Sequence, residues 1–266
     1  MKIKRTIKLT YNSFFDNEKI PMVYYDANTN WGDALNHYIF HKITGRSVKR
    51  VNPLFGKHYL GIGSILSAAN SRSIVLGAGY ISESSKVKES PSRIISVRGP
   101  KTRDLLLKQG ISCPNVFGDC ALAMPMVYFP KKNIKHKIGF IPHFKDAKNS
   151  VAKVFCSIDS VKYIDIMQST ESFINEILEC EFIVSSSLHG LIAADAYGIP
   201  NVWVKISDNI LGDDFKFHDY YESVNHFDVL PLALSDGISK LIDSCKVKAS
   251  RSICESVYGI IVDEFK

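Results

Sequence analysis

The residues best placed to do chemistry sit where an apolar run gives way to a helix. Glu181-Phe182-Ile183-Val184 leads through Ser185, Ser186 and Ser187 into Leu188-His189-Gly190-Leu191-Ile192-Ala193-Ala194-Asp195-Ala196, and Gly198 and Pro200 close the segment. This order predicts strand, N-cap, helix and stop. With Ser186 or Ser187 as the cap, His189 falls in the first turn, beside backbone N–H groups that lack intrahelical partners and favour an anion. A histidine there is also an ordinary helix-start residue, so its weight depends on other residues in the chain.

Arg98 is the first of these. Arg93-Ile94-Ile95-Ser96-Val97 reads as a strand, Gly99 as a turn and Pro100 as the first helical position, with Gly110 ending the helix. Arg98 then stands at the carboxyl end of a strand, where its planar fork suits a carboxylate or phosphate; the alternative is a surface arginine paired with a nearby acid. Asp119 follows another apolar run, Asn115-Val116-Phe117, and His143 closes the run Ile138-Gly139-Phe140-Ile141-Pro142. Near the start, residues 20–25 read as a strand and residues 26–33 as a turn-rich loop. Asp33 is the expected N-cap of a helix over residues 34–44, or a carboxylate offered to a sugar hydroxyl at the mouth of a cleft. Residues 205–221 mix charge with aromatic rings, which fits a packed loop and helix start or recognition of a sugar acceptor.

The supporting elements read as α/β. Residues 59–64, 73–79 and 161–166 are further apolar strands, the two former ending in glycines, and Asn201-Val202-Trp203-Val204 completes a βαβ unit with the histidine at its turn. A helix is expected over residues 172–180, and amphipathic helices over 231–245 and 250–265, the last crossing back over the first half. The glycine pairs match neither a dinucleotide fingerprint nor a P-loop, which disfavours nicotinamide cofactors and P-loop phosphates. The basic, aperiodic stretch 131–137 is the expected linker between lobes 1–133 and 134–266.

The 266 residues suit two domains of about 130 residues, or one large one. A hydrophobic share of 45% with 23% charged residues is that of an ordinary globular enzyme. The net charge of +6 is spread along the chain with no long basic block, so nucleic acid is not indicated, and an anionic small substrate or a membrane surface would be served equally well. Residues 1–8 carry positive charge with no apolar region after them, and no apolar window is long enough to span a bilayer. Six dispersed cysteines without metal-ligand spacing read as reduced thiols of a cytoplasmic protein, with no structural metal.

Taken together, Asn30-x-Gly32-Asp33, Gly61-Ile62-Gly63-Ser64, Ser96-Val97-Arg98-Gly99, Gly118-Asp119-x-Ala121, Ile138-Gly139-Phe140-Ile141-Pro142-His143 and Ser185-Ser186-Ser187-Leu188-His189-Gly190 resemble the polysaccharide pyruvyl transferase family, in the family's order over residues 23–221. The resemblance implies a GT-B-like fold: two Rossmann-like lobes with mainly parallel sheets facing a cleft. It implies transfer of pyruvate from phosphoenolpyruvate onto two hydroxyls of a sugar as a ketal, in exopolysaccharide or capsule biosynthesis, with neither nucleotide sugar, cofactor nor tightly bound metal. The acceptor would be a surface polysaccharide or its lipid-linked precursor, which would place the protein at the inner face of the membrane. Arg98 and His189 match the family's residues for phosphoenolpyruvate, with Ser187 and Leu188 beside the histidine, and Asn30, Gly32, Asp119 and His143 are the further substrate-binding candidates. The family often carries a lysine where this chain has Asn209; Lys216, and after it Lys205, are the candidates to replace it. His189 is the expected acid, and Asp33, Asp119 and His143 are alternative bases. A GT-B glycosyltransferase with a nucleotide-sugar donor and a non-catalytic glycan-binding homologue are the competing expectations.

Overall fold

The computed structural model describes residues 18–25 and 30–266. The expectations for residues 1–8 and for 26–29 of the turn-rich loop fall outside the described residues. Strands β1 (Ile20–Met22), β2 (Val48–Arg50), β3 (His58–Leu60), β4 (Ser73–Leu76) and β5 (Arg93–Ser96) form one sheet in the order β2-β1-β3-β4-β5. Strands β6 (His136–Ile141), β7 (Val161–Tyr163), β8 (Cys180–Ser185) and β9 (Asn201–Trp203) form a second, in the order β7-β6-β8-β9. Every pairing within the two sheets is parallel. Both sheets reverse strand order beside their first strand, between β1 and β3 and between β6 and β8. Loops diverge at such a switch point and leave a crevice outside the carboxyl ends of the strands.

Helix α1 (Trp31–Thr44) connects β1 to β2 and α2 (Pro100–Lys108) follows β5. In the second half come α3 (Ser150–Cys156), α4 (Thr170–Ile177), α5 (Leu188–Ala196), α6 (Phe215–Ser223), α7 (Ile238–Asp243) and α8 (Arg251–Phe265). A 3₁₀ segment, Cys120–Met126, links the halves in sequence. No helix among the described residues is long and apolar enough to cross a membrane.

Three elements join the halves physically. Trp31 of α1 is fully buried, donates its indole N–H to the Thr170 carbonyl at 3.2 Å and packs on Phe173 of α4 with ring centroids 5.1 Å apart. Helix α8 returns to the first sheet, where Phe265 packs on Tyr59 and Phe40 while Glu264 accepts from Tyr59 Oη at 2.7 Å and pairs with Arg93. Its buried residues Cys254, Val257 and Ile261 join a core that also holds Ile20, Leu35 and Leu122 of the first half and Ile141 and Ile183 of the second. Burying side chains of this kind contributes about 1.5–3 kcal/mol each.

Several local expectations change. Asn30, not Asp33, caps α1, its Oδ1 accepting from Asp33 N at 3.2 Å, because the helix starts three residues earlier than its apolar periodicity shows. Residues 115–117 form only an isolated bridge, Val97 with Phe117. The basic stretch 131–137 runs into β6 at His136 rather than ending before it. Residues 231–245 divide into a 3₁₀ turn, Leu234–Asp236, and the short α7, because Gly237 at φ 89° interrupts the helix. Neither β2, with two charged residues out of three, nor the short α3 stands out in the sequence.

Candidate functional site

The two switch points meet. A pocket of about 110 Å³ is lined by Asn30 and Ser64 from the loops after β1 and β3, and by His143, Phe144, Ser187, Leu188 and His189 from those after β6 and β8; Ile166 and Lys216 of α6 complete it. No carboxylate lines it among the described residues. A hollow of about 580 Å³ beside Lys86 and Lys108 lies at the other end of α2, away from these groups, and no buried polar side chain lines it.

The serines before α5 are spent on geometry. Ser187 is the N-cap residue but makes no side-chain capping bond. Ser185 Oγ donates to the Ile141 carbonyl at 2.8 Å, and Ser186 Oγ accepts from His143 N at 2.9 Å. The serine run therefore locks the end of β8 to the end of β6, and leaves the first-turn N–H groups of α5 without a side-chain cap. His189 stands in that turn, its ring pressed on Gly32; a methyl group at residue 32 would fall on the imidazole. Gly32 thus serves as space for His189.

Arg98 is 1% exposed, and its donors are largely committed. Nε donates to Asp219 Oδ2 at 2.9 Å, Nη2 to the Tyr80 carbonyl at 2.6 Å and Nη1 to Ser64 Oγ at 2.8 Å. Asp219, on α6, also accepts from Thr102 N and Thr102 Oγ1, both at 2.7 Å. The helix start that follows Arg98 is therefore capped by a carboxylate from the chain's other half. The expectation of a fork open to a carboxylate or phosphate is corrected: the site keeps Arg98's field, delivered through Ser64. Gly79 and Gly99 make the packing possible. A Cβ on Gly79 would stand 2.5 Å from Arg98 Cζ, and one on Gly99 would meet the Asp219 backbone.

Of the two lysines proposed to stand in for one at Asn209, Lys216 lines the pocket and Lys205 does not. Lys205 pairs with Asp208 at 3.0 Å and Asp214 at 3.6 Å near the surface. Lys216 forms no ion pair or hydrogen bond among the described residues and lies 5.4 Å from the Phe217 ring centroid. Burial, with the charges of Arg98 and Lys145, pulls its pKa down to about 8. Burial lowers His143 to about 4, helped by Lys216 and Lys145, and lowers His189 to about 3, helped by Lys216, Arg98 and His143. Basic groups that depress one another around a small pocket form a site short of negative charge.

The acids lie behind this surface. Asp33 accepts from Asn30 Nδ2 at 2.6 Å, and burial raises its pKa to about 7. Asp119 caps the 3₁₀ segment through Oδ1, and burial raises it to about 6. Its Oδ2 stands 3.9 Å from His189 Nε2. Sequence reasoning missed the roles of Ser64, Asp219 and Lys145. Asp219 is 121 residues from its arginine, and nothing local signals the pairing. Lys145 donates to the Asn209 carbonyl at 3.1 Å, two residues beyond His143.

The chain is 31% identical over 217 residues to an uncharacterized protein of Acanthamoeba polyphaga mimivirus, covering 76% of this chain and 74% of that one. It is 26% identical over 218 residues to the succinoglycan biosynthesis protein ExoV of Rhizobium meliloti (strain 1021), covering 77% of this chain and 64% of that protein. The model of the polysaccharide pyruvyl transferase family matches residues 49–208, a span that includes Ser64, His143 and His189 but not Asn30 or Lys216. The chain belongs to the polysaccharide pyruvyl transferase family.

Proposed function

We propose that the protein transfers pyruvate from phosphoenolpyruvate to two hydroxyls of a sugar in a surface polysaccharide or its lipid-linked precursor, forming a cyclic ketal and releasing phosphate. The observation that carries this reading is the convergence of Lys216, His143, His189 and Ser64 on one small pocket at the start of α5, without a carboxylate in its lining. A donor with a carboxylate and a phosphate brings the negative charge this pocket lacks, and the helix start adds its own field.

In its own surroundings His189 is neutral at physiological pH, because burial, with Lys216, Arg98 and His143 beside it, opposes its charge. A bound donor offsets the charges of Lys216 and Arg98 and lets the imidazole take up a proton. His189 then protonates the methylene carbon of the enol, and C2 becomes electrophilic. One hydroxyl adds to C2, the C2–O bond to phosphate breaks, and the second hydroxyl closes the ketal. Of the two hydroxyl protons, one returns to His189 and the other leaves with phosphate. The reaction uses no cofactor, nucleotide or metal.

In the same reading residues 1–133 are the acceptor-side lobe and 134–266 the donor-side lobe, facing each other across a cleft as in GT-B enzymes. The protein works at the cytoplasmic face of the membrane, where lipid-linked acceptors are assembled. The test is incubation with phosphoenolpyruvate and a panel of glycans: release of phosphate together with an acceptor mass gain of about 70 Da, the formula difference for a pyruvate ketal, is expected. Glycan binding with neither would refute the reading.

A further inference from the structure

Behind His189, on the side away from solvent, two buried polar atoms face each other without partners. Asp119 uses Oδ1 to accept from Ala121 N at 2.9 Å, which holds the carboxylate at the head of the 3₁₀ segment. Its Oδ2 has no hydrogen-bond partner among the described residues, and neither has His189 Nε2. They are 3.9 Å apart, about 1 Å beyond hydrogen-bond range. Buried polar atoms are nearly always paired, so two facing orphans call for an explanation. Gly32 lets the imidazole lie where it does, with Nδ1 closest to the glycine, and His189 lines the pocket. The two ring nitrogens thus have separate surroundings: Nε2 is buried facing an acid, which leaves Nδ1 as the nitrogen that the pocket-lining imidazole can offer a ligand.

We propose that Asp119 is the positioning residue of His189: when an anion fills the pocket, Oδ2 accepts the Nε2 proton and fixes the ring with Nδ1–H presented to the ligand. The proposal rests on the function assigned above, and adds to it which nitrogen delivers the proton and what aims it. The groups facing the imidazole are Lys216 from α6, Arg98 after β5, His143 after β6 and Asp119 from the 3₁₀ segment. Arg98 and Asp219 are the other charges that act on Asp119. Burial and the basic groups together leave the imidazole with one proton. A bound anion reverses the balance and one further proton enters from solvent. In the reaction the Nδ1–H bond breaks as the enol π pair forms the new C3–H bond. The Nε2 proton stays on the ring, hydrogen-bonded to Asp119, so the imidazole is left neutral, and a hydroxyl proton later restores Nδ1–H.

Asp119→Asn separates this from a structural role. The amide keeps Oδ1 for Ala121 N but replaces Oδ2 by a donor, which makes Nε2 an acceptor and removes the partner of the imidazolium. The ring-nitrogen resonances of His189, followed while inorganic phosphate or phosphoenolpyruvate is added, should show Nε2 becoming protonated in the unmodified protein and remaining unprotonated in the variant. Turnover should fall roughly 10²-fold, KM should stay within about threefold, and the acid limb of the kcat profile should move. Unchanged turnover and pH profile in Asp119→Asn, or no protonation of Nε2 with either anion, would overturn the proposal. Nε2 protonation on phosphate binding, in a protein that forms no ketal, would sink the assigned function and leave the pairing standing. Since the unmodified protein supplies the spectroscopic signature, poor folding of the variant does not remove the test.

Discussion

Lys216 and His189 carry the argument at the scale of the residue. Lys216 is charged below pH 8 and loses its charge as the pH rises through that value, so its share of the affinity for phosphoenolpyruvate should be full below pH 8 and fall by up to about tenfold per unit above it, on top of the gain at lower pH from proton uptake by His189. Lys216→Met should weaken binding by roughly 10- to 150-fold, the loss of a charged hydrogen bond worth about 1.5–3 kcal/mol, and should flatten the pH dependence. Titration calorimetry across pH 6–10 measures both. His189→Ala should lower turnover by about 10²–10⁴ while the donor still binds; near-normal turnover would refute its role as the acid. His189 could be named from a local signal, the serines before a helix, whereas Lys216 is reachable only through the family resemblance, as a replacement for the lysine expected at Asn209. Which of Lys205 and Lys216 enters the pocket could not be read, since that depends on where α6 begins and on the acids, Asp208 and Asp214, that claim Lys205.

At the scale of the element, α6 clamps the site together. Phe217 stacks on Trp203 at the end of β9, with centroids 4.3 Å apart, while two residues on Asp219 reaches Arg98 and the start of α2. Asp219→Ala would leave a buried guanidinium without its counter-charge, and should cost about 3–5 kcal/mol in denaturant unfolding. Asp219→Asn, which keeps an acceptor for Thr102, should cost less. Gly79→Ala should cost about 1–3 kcal/mol by crowding Arg98. Gly259→Ala, in α8 with open space around it, should instead stabilise by up to about 1 kcal/mol. The strand-to-helix turns were legible because glycine, proline and serine mark them locally. The α6 clamp was not, because a carboxylate among aromatic residues gives no sign of a partner beyond the next turn. Three-residue strands such as β2 carry too little pattern to be seen.

At the scale of the whole molecule, the parallel sheets bring both switch points to one pocket, and α1, α4 and α8 hold them there. Because the shared core draws on both halves, thermal unfolding should be a single transition, and Ile261→Ala should lower stability by about 2–5 kcal/mol. Two separated transitions would show that the halves are independent. The alternation of strands and helices made the α/β class readable, whereas the packing of Trp31 on Phe173 is a long-range contact that no local pattern announces. The central claim is that one pocket binds an enolic, phosphorylated three-carbon acid and delivers it to a sugar. Mass spectrometry of defined glycans after incubation with phosphoenolpyruvate tests this most directly. An acceptor gain of about 70 Da, matched by released phosphate and lost in His189→Ala, is the predicted result; an unmodified acceptor panel with phosphoenolpyruvate left intact would contradict it.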